Sequence, residues 1–473
     1  MTTTVKKLPI PTKLSFGAGS LAFGLKDQAF GAFLMIYYNQ VIGLPAAWVG
    51  LAMFVATLAN AIADPLIGQW SDHFKSRLGR RHPFMYASAL PLAIGYLLLW
   101  APPDAAHAVQ FVWLLATLIL VWVAIAAFEV PSAALMAEFT DDYAERTSLS
   151  LWRTIFLALG LIGGAIVALK IFLVPTPEQP IGQLNPAGYQ QFGMASAIVM
   201  LVVILVATRG TQDRIPTLAP PKPRVAGENM LSNLKLLAMD RAYMSLVGCI
   251  FLFAIGGGLI ATFDTYVRTY FWQLSASQLA SIAGVGGLGA IVGLVIAGAT
   301  KGLDKRNLLV GAYATALVAS LLLLVLALLD VVPRDGTKLM PWIMLQTAAV
   351  SAAVAIGLVI AGSMLADVAD HMELKTGRRM EGLMFAALIM VQKAVTGMGN
   401  FLSGVLLTVI GFPEKADPAT LDPVIIEQLG WAKVYGLGIF VSLALVVVMF
   451  YPITRQTQAR TAAALRAGNA PVA

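Results

Sequence analysis

Apolar windows of about 20 residues recur twelve times along this chain, and this repetition restricts its fold more than any other feature. A helix of that length crosses the hydrocarbon core of a bilayer while satisfying its own backbone hydrogen bonds. The predicted spans lie near residues 14–40, 47–71, 84–102, 108–136, 148–173, 192–208, 243–271, 278–300, 308–331, 340–366, 382–411 and 430–452. The sequence therefore predicts an all-α, multi-pass protein of the plasma membrane (the inner membrane of a bacterium).

The composition supports this class and excludes several others. Hydrophobic residues make up 58% of the chain and charged residues only 12%, which is far from the balance of a soluble domain. The net charge of +7 follows the membrane topology, so it does not indicate nucleic-acid binding. The sequence contains no nucleophile–base pair, metal-ligand cluster or phosphate-binding loop, so we expect neither an enzyme nor a resident cofactor or metal. We expect a monomer surrounded by lipid.

The positions of the basic residues predict the orientation. Most of the 32 Lys and Arg residues lie at the N-terminus, after even-numbered spans or in the C-terminal tail. The loops of the opposite side hold only Arg334, Lys338 and Lys415. Because basic loops stay in the cytoplasm, both termini are predicted to be cytoplasmic.

The longest polar connection, residues 209–242, divides the spans into an N-terminal half, 1–208, and a C-terminal half, 243–473. Within it, apolar residues from Met230 to Leu237 recur at helical spacing, which predicts a short interfacial helix; a solvated linker is the alternative. Two six-helix halves joined by a cytoplasmic linker are typical of transporters built from repeats. Glycine-rich stretches in the fifth and eighth spans predict close helix contacts.

Six ionisable residues are expected to lie at some depth within the likely spans, and their formal charges sum to zero. They are Lys26, Asp27, Asp64, Glu129, Arg153 and Lys393. Such residues normally face a cavity or each other, so the set indicates a polar ligand site, with an interhelical salt-bridge network as the alternative. Neighbouring side chains on a helix point about 100° apart, so Lys26 and Asp27 are not expected to pair with each other. Asp264 and Arg268, four residues apart near the outer surface, are expected to form an ordinary intrahelical pair.

Arg153 directly follows Trp152, so a guanidinium with several N–H donors is expected beside an aromatic ring. Carboxylates, cationic side chains and an aromatic ring together are the groups that bind a polyhydroxylated ligand. We therefore assign substrate binding to Lys26, Asp27, Glu129, Trp152, Arg153 and Lys393.

Charged residues also cluster on two hairpins at the predicted cytoplasmic face. Asp72, Arg77 and Arg80 follow the second span, and Asp367 and Asp370 end the tenth. Opposite charges on the two halves can pair when this face is closed and separate when it opens. We predict that these residues form a cytoplasmic gate, although arginines here also simply enforce topology.

Several of these segments resemble the glycoside–pentoside–hexuronide:cation symporters of the major facilitator superfamily. The matching motifs run in the family's order from the first span to the eleventh: GLKD ending at Asp27, DPLIGQWSDHFKSRLGRRHP from Asp64, FEVP around Glu129, MLADVADHMELKTGRR from Met364, and MVQK ending at Lys393. The resemblance implies the major facilitator fold and transport by alternating access. It also implies that Asp27, Glu129, Arg153 and Lys393 contact a sugar and that Asp64 belongs to the cation site.

The chain departs from the family pattern around Asp64. Sodium-using members resemble DAIND in this region, whereas this chain has Asn60 and Ala63, and Ala126 stands where a threonine is expected. Sodium needs several oxygen ligands, but a proton needs one base, so Asp64 with Asn60 one turn away favours proton coupling. Sodium coupling and uncoupled transport stay open. So do a lysolipid substrate, which the same architecture also serves, and a channel.

Overall fold

A computed structural model of the chain describes residues 8–140, 142–215, 230–300, 302–376 and 381–466, and within these ranges it is helical with no β-strand. We number its long helices α1 to α14. They are α1 (residues 10–42), α2 (Ala46–His73), α3 (His82–Leu99), α4 (His107–Phe139), α5 (residues 143–172), α6 (Pro186–Gln212), α7 (Met230–Met239), α8 (Arg241–Phe271), α9 (Ala276–Ala299), α10 (Lys305–Leu328), α11 (Met340–Thr376), α12 (Glu381–Val409), α13 (Pro423–Met449) and α14 (Arg455–Arg466).

Eleven helices of the described ranges are long and apolar enough to cross a membrane. They match the predicted spans two to twelve. Helix α1 takes the place of the first span, but Lys26 and Asp27 lower its mean hydropathy. The all-α membrane architecture predicted from the apolar windows is thereby confirmed.

Side-chain caps fix where several helices begin. The Asp240 carboxylate accepts from the Tyr243 backbone N–H at 2.9 Å, and Asp304 and Asp422 cap α10 and α13 in the same way. Asn185 caps α6, which begins with Pro186. A cap satisfies backbone donors that the first turn leaves unpaired, and proline at the first position needs no donor.

The helices pack as two compact units. The first contains the described residues up to 215, with Ser275–Ala283 and Phe401–Asp417. In it α1 packs on α5 and α6, and α4 packs on α2 and α3. The second contains the described residues from 230 to 274, Gly284–Asn400, and those from Pro418 to 466. In it α8 packs on α13, and α10 packs on α11 and α13.

Glycines permit the closest helix contacts. A methyl group at Gly24 of α1 would overlap the Leu157 carbonyl of α5, and one at Gly160 of α5 would overlap the Leu21 carbonyl of α1. Gly289 and Gly293 of α9 approach the α11 backbone at Ala348 and Ala352 in the same manner. The predicted close contacts of the fifth and eighth spans are confirmed.

Each unit has its own buried core. In the first unit the Tyr37 hydroxyl donates to the Trp100 carbonyl at 2.9 Å, and the Trp100 ring stacks on Tyr189. In the second unit α8, α10, α11 and α12 contribute Leu246, Leu309, Met364 and Met384 to one buried cluster. These cores hold the helices that carry the embedded charges.

The connection between the predicted halves contains α7, whose Leu237 is buried in the core of the second unit. The proline-rich part of this connection lies outside the described residues. Its cytoplasmic location and the placement of α7 at the membrane surface stay predictions.

Candidate functional site

Lys26 and Asp27 form an ion pair, contrary to the sequence prediction. Lys26 Nζ lies 2.7 Å from Asp27 Oδ1. The prediction was wrong because it considered only the directions of the Cα–Cβ bonds; the long, flexible lysine stem lets the ammonium reach the neighbouring carboxylate. Asp27 itself is 40% exposed, so its carboxylate is held by Lys26 but stays accessible.

An aromatic cage surrounds the Lys26 ammonium, which is fully buried. Its Nζ lies 3.5 Å from the centroid of the Trp122 ring and 4.3 Å from that of Phe23. A desolvated ammonium over an aromatic face is stabilised by the ring quadrupole, by about 2 kcal/mol. Sequence reasoning missed Trp122, because an isolated tryptophan in an apolar span carries no signal of a charge beside it.

Glu129 and Arg153 pair directly across α4 and α5, through Glu129 Oε1 and a terminal nitrogen of Arg153. Arg153 Nε also lies 3.4 Å from the Ser20 hydroxyl of α1. The second carboxylate oxygen of Glu129, Oε2, is buried and has no hydrogen-bond partner among the described residues. Residues of three helices thus meet around the Arg153 guanidinium, and Glu129 keeps an acceptor that no described residue uses.

A cavity of about 240 Å³ opens beside this pair within the first unit. Its lining combines polar and apolar side chains: Ser20, Phe23, Glu129, Met136, Ser150, Arg153, Thr154 and Leu157. Asp27 follows Phe23 by one helical turn and therefore lies on the same side of α1. The cavity offers hydroxyls, a carboxylate, a guanidinium and one aromatic ring to a small polar ligand.

The predicted substrate residues divide between the two units. Lys26, Asp27, Glu129 and Arg153 come together in the first unit, whereas Lys393 lies on α12 in the second. Trp152 is not part of the cavity lining; its ring packs beside Phe156, and its backbone lies against Gly17. The aromatic surface next to Arg153 is instead Phe16, whose ring centroid lies 5.6 Å from the guanidinium carbon.

Asn60 and Asp64 lie one turn apart on α2. Asn60 is almost completely buried, and both polar atoms of its amide lack a partner among the described residues. Oδ1 of Asp64 is also buried. Pro65 has no N–H, so the Ala61 carbonyl loses its usual helical donor. A polar group shielded from water costs free energy unless it is paired, so this part of α2 is suited to hold a small cation.

Three of the five predicted gate residues, Asp72, Arg80 and Asp367, have ion-pair partners inside their own units. Arg80 and Arg81 both contact Glu138 Oε1 at 2.6 Å, and Arg81 also lies 3.1 Å from Asp72. Arg77 is exposed. In the second unit Asp367 lies 2.6 Å from Lys305 Nζ, and Asp370 is half-buried. The predicted pairing of charges between the two halves stays a prediction.

A second charge cluster lies in the second unit. Arg268 lies 3.1 Å from Asp264, which confirms the intrahelical pair, but Lys433 Nζ also contacts the other oxygen of Asp264. Sequence reasoning missed Lys433, although a lone lysine in the last apolar span was a signal. The two cations come from α8 and α13, which pack together.

Comparisons with known proteins agree with this architecture. The family described as "MFS/sugar transport protein" matches residues 15–455. The isoprimeverose transporter of Lactiplantibacillus pentosus is 24% identical, over 95% of this chain and 90% of its own. The sodium-dependent lysophosphatidylcholine symporter 1 of Gallus gallus is 23% identical, over 98% of this chain and 90% of its own. Among solved structures, a D-xylose–proton symporter shares the fold, with a TM-score of 0.64 and 14% identity over 93% of this chain and 98% of its own.

Proposed function

Since the chain belongs to the MFS/sugar transport family, within the glycoside–pentoside–hexuronide:cation symporters, we propose that it carries a sugar or glycoside together with a proton. In this proposal the substrate and proton sites are exposed alternately to the two sides of the membrane. Both termini lie in the cytoplasm in this proposal, as the positions of the basic residues predict.

The buried Oε2 of Glu129, to which no residue in the described part of the chain donates, carries the substrate part of the proposal. A buried acceptor without a donor costs about 1–3 kcal/mol, and a ligand hydroxyl that donates to it recovers this cost. Arg153, Ser20, Ser150 and Thr154 lie around the same cavity and supply donors and further acceptors. Because sugar hydroxyls both donate and accept, this lining suits a sugar better than an apolar or purely cationic ligand.

The residue types at the positions that match the family's cation site support the proton. Asn60 contributes one amide oxygen, while Ala63 and Ala126 contribute none. A carboxylate can bind a proton with a single oxygen, whereas sodium needs several oxygen ligands in place of its hydration shell. Protonation also removes a charge whose presence in the membrane costs a few kcal/mol, which helps the loaded carrier to change conformation.

Uptake of isoprimeverose into proteoliposomes tests this function. We expect concentrative uptake driven by a pH gradient, with little response to a sodium gradient. Glu129→Gln should weaken sugar binding about tenfold, because a charged acceptor is replaced by a neutral one. Glu178→Gln, which neutralises an exposed acid outside the cavity, is the matched control.

The second candidate function is sodium-coupled transport of a lysolipid, and it is supported by the relative that is named a sodium-dependent lysophosphatidylcholine symporter. If a sodium gradient drives accumulation of the sugar, the proton coupling is wrong but the sugar assignment stands. Uptake of lysophosphatidylcholine without uptake of a panel of glycosides and pentosides overturns the sugar assignment. If substrate crosses the membrane only down its own concentration gradient and carries a conductance, the protein is a channel.

A further inference from the structure

The charge cluster of the second unit contains two cations and one anion. Asp264 accepts from Lys433 through Oδ1 and lies 3.1 Å from Arg268 through Oδ2. Arg268 also lies 3.4 Å from the Thr347 hydroxyl of α11, so three helices meet here. The cluster carries a net charge of +1, and the aspartate alone cannot neutralise it.

The cluster is embedded in the helices. Asp264 lies seven residues before the end of α8, which is about 10 Å along the axis, and Lys433 lies ten residues after the start of α13, which is about 15 Å. The Lys433 side chain is only 6% exposed. Glu427, a further acid on α13, lies 3.4 Å from Trp431 Nε1, on another side of that helix from Lys433. Lys433 is the deeper cation, because Arg268 lies only three residues, about 4.5 Å, before the end of α8. An unneutralised charge at the depth of Lys433 is costly unless an anion joins it.

The cluster lies on a partly exposed face of α8. Gly257 is exposed, and Ala261, Asp264, Thr265 and Arg268, on the same side of the helix, are partly exposed. A methyl group at Gly257 would have no neighbour within 4 Å. Helix α9 of the same unit instead exposes large apolar side chains, namely Leu288, Ile291, Val292 and Val295. The stripe on α8 therefore has the character of a surface that lines a polar space.

We propose that Arg268 and Lys433 form a binding site for an anionic group, a carboxylate or a phosphate, on the transported substrate. This inference rests on the proposed transport function and narrows its substrate to an acidic sugar or a sugar phosphate. Arg268 supplies the planar fork that matches two oxygens of either group, and Lys433 adds a point charge. Without substrate, the Asp264 carboxylate pairs with both cations. The anionic group of the substrate therefore competes with Asp264 for Arg268 and Lys433.

Two matched ligand pairs test the site on the purified, full-length protein in detergent. One pair is p-nitrophenyl β-glucuronide with p-nitrophenyl β-glucoside; the other is glucose 6-phosphate with glucose. We expect at least one acidic member to bind about tenfold to a hundredfold more tightly than its neutral partner, because its charged hydrogen bonds are the stronger ones. The pair that shows the preference distinguishes a carboxylate from a phosphate.

Variants separate binding from a structural role. Arg268→Gln should remove the preference, Arg268→Lys should retain part of it, and Asp264→Asn should increase it because the competing carboxylate is lost. A structural salt bridge predicts the opposite for Asp264→Asn, namely lower thermal stability with an unchanged acidic-to-neutral ratio. Arg209→Gln, in an exposed pair with Asp213, is the control.

The inference is overturned if the neutral members bind as well as both acidic ones, or if the preference survives in Arg268→Gln. If Arg268→Gln does not fold, Arg268→Lys and Asp264→Asn decide the question alone. Concentrative uptake of a neutral sugar without any acidic preference overturns this site but leaves the proposed transport function intact. Absence of uptake of every sugar overturns the function itself.

Discussion

Lys26 Nζ lies 2.7 Å from Oδ1 of Asp27, its neighbour in sequence, while the same ammonium lies 3.5 Å from the centre of the Trp122 ring. Burial prevents water from solvating the lysine, so the cation is stabilised by one carboxylate and by aromatic faces. Asp27 in turn stays half-exposed with one oxygen held in place. Trp122 therefore positions Asp27 through Lys26, without being a member of the cavity lining itself.

Replacing Trp122 should weaken substrate binding through the position of Lys26. We expect Trp122→Leu to lower the affinity for substrate about tenfold, since the cation–π interaction contributes about 2 kcal/mol and the ammonium would shift without it. Trp122→Phe, which keeps an aromatic face, should retain most of the affinity. Binding titration of both variants checks this, and equal losses in the two would contradict a cation–π role.

Neutralising Asp64 should abolish concentrative uptake but leave substrate exchange intact. In Asp64→Asn the carrier no longer needs a proton to remove the charge, so concentrative uptake should be lost while exchange of substrate at equal concentrations continues. Parallel measurements of driven uptake and exchange in proteoliposomes check this. Asp213→Asn, at an exposed position, should leave both unchanged. Driven uptake at the unmodified level in Asp64→Asn would exclude Asp64 as the coupling residue.

Two glycines of the same π-helical turn in α5 should respond differently to valine. Gly160 lies against the α1 backbone, where an added side chain would overlap the Leu21 carbonyl, whereas a Cβ at Gly163 would meet nothing within 4 Å. Gly160→Val should therefore destabilise the first unit by about 1–3 kcal/mol through overpacking, and Gly163→Val should be close to neutral. Thermal unfolding in detergent compares the two. Similar melting temperatures would argue against close α1–α5 packing.

Neutralising Arg77 should slow transport without abolishing binding. Arg77 is exposed on the basic hairpin, whereas its neighbours Arg80 and Arg81 are both paired with Glu138. If Arg77 is the member of the hairpin that pairs across the predicted gate, Arg77→Gln should reduce turnover severalfold with an unchanged dissociation constant. Lys75→Gln, two residues away and also exposed, serves as the control. Full turnover in Arg77→Gln would contradict the gating role.

The sequence predicted the membrane-spanning helices well because the physical requirement is local. An apolar run long enough to cross the bilayer must be helical, whatever surrounds it, so the spans from α2 to α6 and from α8 to α13 follow from composition alone. The embedded charges were also visible, because any ionisable residue in such a run stands out. The short helix α7 and the glycine contacts of α5 and α9 followed from spacing and residue size.

Partners were harder to predict than positions. Glu129 and Arg153 were both assigned to the site, but their direct ion pair across α4 and α5 depends on how those helices are rotated about their axes. Trp152 was expected beside the ligand, yet Phe23 takes the aromatic place in the cavity. Helix rotation is set by packing against neighbouring helices, and no periodicity in a uniformly apolar span reveals it.

The sequence by itself determined that this chain is a membrane-embedded bundle of helices, and it identified most of the charges that the bundle buries. The sequence also indicated the pair of Asp264 with Arg268, but only the tertiary structure decided that Lys433 joins this pair and that Lys26 lies between Asp27 and the Trp122 ring. The physical reason is range. Insertion into a bilayer depends on the hydropathy of each segment by itself. Ion pairs and cavities depend on contacts between side chains that are far apart in the sequence, or on the conformation of a long side chain such as Lys26 on its own helix.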